Sequence, residues 1–183
     1  MITLITGIPR SGTSLMMQLF KAANASIATD SIREEDENNP NGYYELEAVK
    51  GIVKNNTFLK EQDGKAIKIV APLVTFIDLS LEYRVVFMLR DLDEVVQSQE
   101  KMLGKDQKDL KEKFKTLYAS HIEKSRQFLL GHQIPFIEIP HRELLQNPDA
   151  SLQRLIDFCA WETPLEELKS IIDDSLYRNR KKS

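Results

Sequence analysis

The chain has 183 residues, of which 29% are charged and 42% hydrophobic, the ordinary proportions of a soluble globular protein. Its formal charge of −3 leaves no overall basic footprint, which argues against bulk nucleic-acid binding. Cys159 is the single cysteine, so neither an internal disulfide nor a cysteine-based metal site is expected.

The first predicted elements are a strand, a loop and a helix. Ile2–Thr6 is a run of strand-forming residues, and Gly7, Pro9 and Gly12 are typical of a loop. From Thr13 onward the apolar residues recur at helical spacing, which predicts an amphipathic helix. The first turn of such a helix carries unpaired N–H groups and the positive end of the helix dipole, so an anion is favoured there.

The spacing of this loop predicts a phosphate-type anion site. Two glycines separated by four residues and followed by Thr13-Ser14 differ by one residue from a nucleoside-triphosphate loop, which carries lysine where Thr13 stands. The cation here is Arg10, which can bind two anion oxygens through parallel N–H donors. The residues expected to line the site are Gly7, Pro9, Arg10, Ser11, Gly12, Thr13 and Ser14.

A long connection is predicted over residues 26–45. It contains an acidic run at residues 34–37, which is typical of a solvated surface, and turn signals at Asn39-Pro40 and Asn41-Gly42. Glu45 follows that turn and two aromatic residues. We therefore expect its carboxylate at the rim of a pocket.

The next elements are a helix over residues 47–59, a short strand over residues 66–70 and a brief crossover over residues 73–81. Pro72 disfavours continuation of the strand. Lys68 lies inside this strand, where it is either an edge residue whose amine reaches water or a cation that faces a pocket.

Residues 85–89 form the clearest strand, apolar throughout as a central parallel strand should be. Arg90 follows at its carboxyl end, where ligands bind in open α/β sheets, so Arg90 and the Gly7 loop are expected at one sheet edge. A helix then opens with Asp91 and Asp93. Ser98 lies in its second turn, and an exposed helical serine is the alternative to a functional one.

The remaining chain predicts a long helix over residues 105–130, a strand over residues 134–139 and a helix after Pro148. The tail, residues 175–183, is basic and carries no acid.

Two stretches resemble the sulfotransferases. GIPRSGTSL, residues 7–15, is similar to the family loop that holds the 5′-phosphosulfate of 3′-phosphoadenosine 5′-phosphosulfate. VVFMLRDLDEVVQSQ, residues 85–99, resembles the family's 3′-phosphate element, in which a strand is followed by Arg and then by Ser, here Arg90 and Ser98. The resemblance spans roughly residues 1–180.

This resemblance implies roles for further residues. Arg10 and Lys68 would face the transferring sulfuryl group, and Glu45 is the candidate base, as a Glu is in some family branches. The cytosolic branch has a catalytic histidine where this chain has Val70. His141 occupies the place of a tyrosine that contacts adenine in the family.

The basic tail has two interpretations. It is a disordered terminus, or, as the resemblance implies, Arg178 and Arg180 belong to a late loop that covers the 3′-phosphate.

The predicted fold is a three-layer α/β, P-loop-like domain with a mainly parallel sheet of four to five strands and helices on both faces. We expect one sulfotransferase-like domain over residues 1–183, cytoplasmic and without a membrane span. The resemblance implies sulfuryl transfer from 3′-phosphoadenosine 5′-phosphosulfate to a hydroxyl or amine of a small-molecule, glycan or lipid acceptor, with no metal required. The alternatives are a P-loop kinase or nucleotide hydrolase, which needs Mg²⁺ and the loop lysine, and a non-catalytic nucleotide-binding protein.

Overall fold

A computed structural model describes residues 1–30, 42–103 and 110–172. The strands are β1 (Ile2–Thr6), β2 (Ile27–Ala28), β3 (Ala66–Lys68), β4 (Tyr83–Leu89) and β5 (Phe136–Pro140). The α-helices are α1 (Thr13–Ala22), α2 (Leu92–Leu103), α3 (Lys111–Gly131), α4 (His141–Gln146), α5 (Pro148–Cys159) and α6 (Leu165–Lys169). Short 3₁₀ helices cover Glu47–Gly51, Thr57–Gln62 and Leu73–Phe76.

The five strands form one sheet in the order β2-β3-β1-β4-β5, and the described neighbours all run parallel. The register pairs Ile5 of β1 with Lys68 on one side and Thr6 with Phe87 on the other. Because parallel strands end at the same edge, the loop after β1 lies between the carboxyl ends of β3 and β4.

Side chains of the central strands alternate between two apolar layers. Leu4, Val85 and Phe87 pack on one face with the 3₁₀ helices and the carboxyl-terminal part of α3. Ile5 and Val86 pack on the other face with α1, α4, α5 and α6. A strand buried on both faces reads as continuously apolar, as β4 does. The predicted three-layer α/β fold is confirmed, with five parallel strands.

Two local predictions are wrong, and one further helix is not predicted from the sequence. Residues 47–59 form two 3₁₀ helices rather than one α-helix, since Gly51 weakens the helix interior and the side chain of Asn55 accepts hydrogen bonds from the backbone N–H and hydroxyl of Thr57. The connection over residues 26–45 contains the edge strand β2, which pairs with β3. The segment after β5 forms helix α4 directly.

The other strand and helix predictions need only changes at their ends. β3 ends at Lys68, but the N–H of Ile69 still donates to the Ile5 carbonyl and that of Ala71 to the Gly7 carbonyl, at 3.0 and 2.9 Å. The long helix is described from Lys111, and residues 104–109 lie outside the described part. None of the described helices has the length and apolar character needed to cross a membrane.

Candidate active site

The loop between β1 and α1 depends on two glycines in conformations that other residues avoid. Gly7 has φ 149° and Gly12 has φ 101°. A Cβ on Gly7 would lie 2.4 Å from the Ser11 hydroxyl and 2.7 Å from the Met88 carbonyl oxygen. The loop is therefore folded closely on itself and against the end of β4.

The start of α1 is suited to an anion. Gly12 precedes the helix and has no side chain with which to cap it, and Thr13, Ser14 and Leu15 bring no acid to the first turn. The hydroxyl of Ser11 is fully buried and has no hydrogen-bond partner among the described residues. The backbone N–H groups in the first turn of α1 and the Ser11 hydroxyl fit a phosphate or phosphosulfate group.

Arg10 turns from the loop toward α2. Its backbone is left-handed, with φ 69°, an uncommon conformation for a residue with a side chain. Its Nε donates a hydrogen bond to the Oγ of Ser98 at 3.0 Å. Ser98 is only 4% exposed, so the alternative of an exposed helical serine is excluded.

Arg90 joins the same arrangement from the end of β4. Its Nη1 donates to the backbone carbonyl of Arg10 at 3.0 Å, and its Nε donates to Glu94 Oε2 at 3.1 Å. The side chains of Arg90 and Glu94 are 10% and 3% exposed, so this ion pair is largely withdrawn from water. The two predicted anion-binding elements are thus in direct contact.

Lys68 lies at the carboxyl end of β3, which is flanked by β2 and β1, so the edge-strand alternative is excluded. Its side chain is 4% exposed, and its Nζ lies 3.3 Å from Glu45 Oε1. The same ammonium donates to the Tyr43 carbonyl and lies 5.9 Å from the centroid of the Tyr43 ring. Glu45 is 31% exposed and lies beside a buried cation.

His141 begins α4 behind the glycine loop. It is 7% exposed, and a Cβ on Gly12 would lie 2.5 Å from its Cδ2. Burial, with a smaller effect from the nearby Arg90 charge, lowers the pKa of His141 to about 3. The neutral imidazole therefore packs against the loop.

Asp30 lies at the start of the first 3₁₀ helix, beside Glu45. One Asp30 carboxylate oxygen accepts a hydrogen bond at 2.5 Å from the backbone N–H of Glu47, where the first 3₁₀ helix begins. The backbone carbonyl of Glu45 accepts hydrogen bonds from Asp30 and Thr29. The Asp30 carboxylate therefore stabilises the start of that helix.

The structure groups most of the predicted residues and adds two. The glycine loop, Arg90, Ser98 and His141 lie together, while Lys68 and Glu45 lie next to the loop through the β1–β3 register. Glu94 and Tyr43 were missed. Glu94 lies four residues after Arg90, a spacing that predicts an ion pair on a helix. Tyr43 makes its contact through a backbone carbonyl, which leaves no pattern in the sequence.

Some predicted residues lie outside the described part of the chain. These are the acidic run of residues 34–37, the turn at residues 39–41, and Arg178 and Arg180 in the basic tail. In the described residues, no group of three or more His, Cys, Asp or Glu side chains is arranged to hold a metal ion.

Comparison with solved structures finds sulfotransferases. The sulfotransferase domain of the Synechococcus PCC 7002 olefin synthase superposes with a TM-score of 0.54 at 14% identity, over 96% of this chain and 85% of that one. Retinol dehydratase, in complex with androsterone and the inactive cofactor PAP, gives 0.58 at 15% identity, over 97% and 66%. Sulfotransferase STF9 from Mycobacterium avium gives 0.50 at 11% identity, over 98% and 68%.

At the sequence level no protein-family model matches this chain, and no curated protein does. The structural likeness establishes the fold, which is that of sulfotransferases, as the resemblance of the two motifs predicts. The chain spans about two thirds of the length of retinol dehydratase.

Proposed function

We propose that this protein is a sulfotransferase that moves a sulfuryl group from 3′-phosphoadenosine 5′-phosphosulfate to a hydroxyl or amine of a small-molecule, glycan or lipid acceptor. The observation that carries the proposal is the contact between Arg10 and Ser98. It joins the loop that resembles a 5′-phosphosulfate site to the helix that resembles a 3′-phosphate site. The two phosphate-bearing ends of one nucleotide would need such adjacent sites.

The residues divide into two groups in this proposal. Gly7 to Ser14 and the start of α1 would hold the 5′ end of the donor, and Arg90 with Ser98 would hold the 3′-phosphate. His141 would support the loop, and Arg178 and Arg180 stay candidates for covering the nucleotide. The complex of the similarly folded retinol dehydratase with PAP supports a nucleotide of this type.

The donor would supply a sulfuryl group for in-line transfer: its bond to the 5′-phosphate oxygen would break as its bond to the acceptor oxygen or nitrogen forms, and 3′-phosphoadenosine 5′-phosphate would be the leaving group. Arg10 and Lys68 would offset negative charge near the reacting group. Glu45 would accept the acceptor's proton, and its ion pair with Lys68 keeps base and cation side by side. This assignment requires no metal.

Ligand-dependent melting tests the donor assignment. A ligand that binds only the folded state raises the melting temperature, so PAP (3′-phosphoadenosine 5′-phosphate) should do so without magnesium, and more than ATP does. Much greater stabilisation by ATP with Mg²⁺ would favour the kinase or hydrolase alternative. Stabilisation by PAP without transfer of labelled sulfate to a broad acceptor mixture would favour the non-catalytic alternative, which Val70 in place of a histidine keeps open.

A further inference from the structure

The buried carboxylate of Glu94 is placed to control the orientation of Arg90. Glu94 lies in the first turn of α2 and is 3% exposed. Its Oε2 accepts a hydrogen bond from Arg90 Nε at 3.1 Å. A carboxylate at this depth is costly to bury without a cationic partner, and Arg90 supplies one.

The second contact of Arg90 links this pair to the loop. Nη1 donates to the backbone carbonyl of Arg10, 80 residues earlier in the chain. Because the guanidinium is planar, holding it at Nε and at Nη1 leaves it a single orientation. The carbonyl that receives Nη1 belongs to a residue with φ 69°, so this hydrogen bond also supports an uncommon backbone conformation.

We infer that Glu94 is a positioning residue, which acts through Arg90 to hold both the 3′-phosphate site and the Arg10 turn in their binding geometry. The inference rests on the proposed function. It runs against simple electrostatics, because a carboxylate close to an anion site repels the anion. Removing the charge of Glu94 would by that effect alone tighten phosphate binding.

The direction in which PAP affinity changes therefore distinguishes positioning of Arg90 from electrostatic repulsion by Glu94. PAP binding would be measured by calorimetry on the full chain for Glu94→Gln and Glu94→Asp. Glu94→Asp keeps a charged carboxylate on α2 as a partner for the buried Arg90, but it withdraws that carboxylate by one methylene. Both variants should bind PAP about tenfold more weakly, the order expected for losing one charge-assisted hydrogen bond. Adenosine 5′-phosphate should lose less affinity than PAP.

Asp93→Asn is the matched control. It removes a carboxylate from the neighbouring residue of α2, one that pairs with Lys111 and Lys115 of α3 at 3.1 and 3.2 Å. Its PAP affinity should stay within about twofold of the unaltered protein, since partly exposed ion pairs contribute little and the contact between Arg90 and Glu94 stays intact.

A double-variant cycle tests whether Glu94 acts only through Arg90. If Glu94 acts only through Arg90, Glu94→Gln should weaken PAP binding no further in an Arg90→Ala background. Tighter or unchanged PAP binding by both Glu94 variants, or full additivity with Arg90→Ala, would overturn the inference. If the unaltered protein failed to bind PAP, the proposed function itself would fall and the inference with it.

Discussion

The Nε of Arg10 donates a hydrogen bond to the Oγ of Ser98 at 3.0 Å, across 88 residues of chain. Ser98→Ala removes the acceptor and should weaken PAP binding by about 0.5–1.5 kcal/mol, the usual net value of a hydrogen bond. Calorimetric titration measures this. Ser125→Ala is the control, because Ser125 is a fully buried helical serine whose hydroxyl donates to the His121 carbonyl. A similar loss of affinity in both variants would remove Ser98 from the site.

Arg90→Ala should weaken PAP binding by about 1.5–3 kcal/mol, the range for hydrogen bonds to charged groups. Adenosine 5′-phosphate lacks the 3′-phosphate, so its binding should change less. The control is Arg84→Ala, which removes an arginine from the opposite end of β4, where it contacts Thr3 and the Phe158 carbonyl. Equal losses for both ligands in calorimetry would contradict a 3′-phosphate role for Arg90.

Glu45→Gln tests whether Glu45 is the catalytic base. If Glu45 accepts the acceptor's proton, turnover should fall by about 10²–10⁴ while PAP still binds. The variant also weakens the partner of the buried Lys68, which should cost about 1–3 kcal/mol of the free energy of unfolding. Sulfate transfer and thermal melting would be measured on the same preparation.

Glu47→Gln is the matched control for that experiment, because Glu47 lies two residues further on and pairs with the exposed Lys50 at 2.7 Å. It should leave both turnover and melting nearly unchanged. A stable Glu45→Gln protein with near-normal turnover would eliminate Glu45 as the base.

Gly12→Ala should destabilise the protein and impair PAP binding. Its Cβ would overlap the buried His141 ring, and φ 101° disfavours any side chain. The two effects together should cost about 2–5 kcal/mol, from a left-handed backbone and an overpacked contact. Gly64→Ala isolates the backbone effect, because Gly64 has φ 74° and no atom within 4 Å of an added Cβ. Chemical denaturation would measure the free energy of unfolding of both variants. Equal losses would show that the contact with His141 adds nothing to the destabilisation.

Stability should fall on mild acidification because His141 stays neutral in the folded protein. Its pKa is about 3 when folded against 6.5 as the ordinary value, so the unfolded chain takes up the proton first and is favoured as pH falls. Between about pH 6.5 and about pH 5 this effect should cost about 1.5 kcal/mol of the free energy of unfolding.

Urea denaturation of the unaltered protein and of His141→Gln at each pH would measure how the free energy of unfolding depends on pH. The pKa of His121 is also lowered, by burial and by Lys124, but both proteins share that residue, so their difference isolates His141. Parallel pH dependence in the two proteins would show that His141 is protonated normally.

Local patterns in the sequence were enough to predict the elements that carry the candidate site. The glycine spacing before Thr13 and the apolar run before Arg90 depend on neighbouring residues alone, and both place their cations at strand ends, which meet at one edge of any parallel sheet. Helix formation over residues 47–59 was overestimated, because periodicity does not register the hydrogen bonds that Asn55 makes with Thr57.

Tertiary structure decided the partners of the charged groups. Arg10 turns to Ser98, Arg90 joins the Arg10 carbonyl to Glu94, and Lys68 lies between Tyr43 and Glu45. Most of these contacts join residues far apart in sequence, and they exist because the register of β1 with β3 and β4 aligns the three strand ends. A charge pattern along the chain carries no information about that register. The sequence therefore determined that Arg10, Lys68 and Arg90 lie at or just after strand ends, and the packed sheet determined how these cations pair.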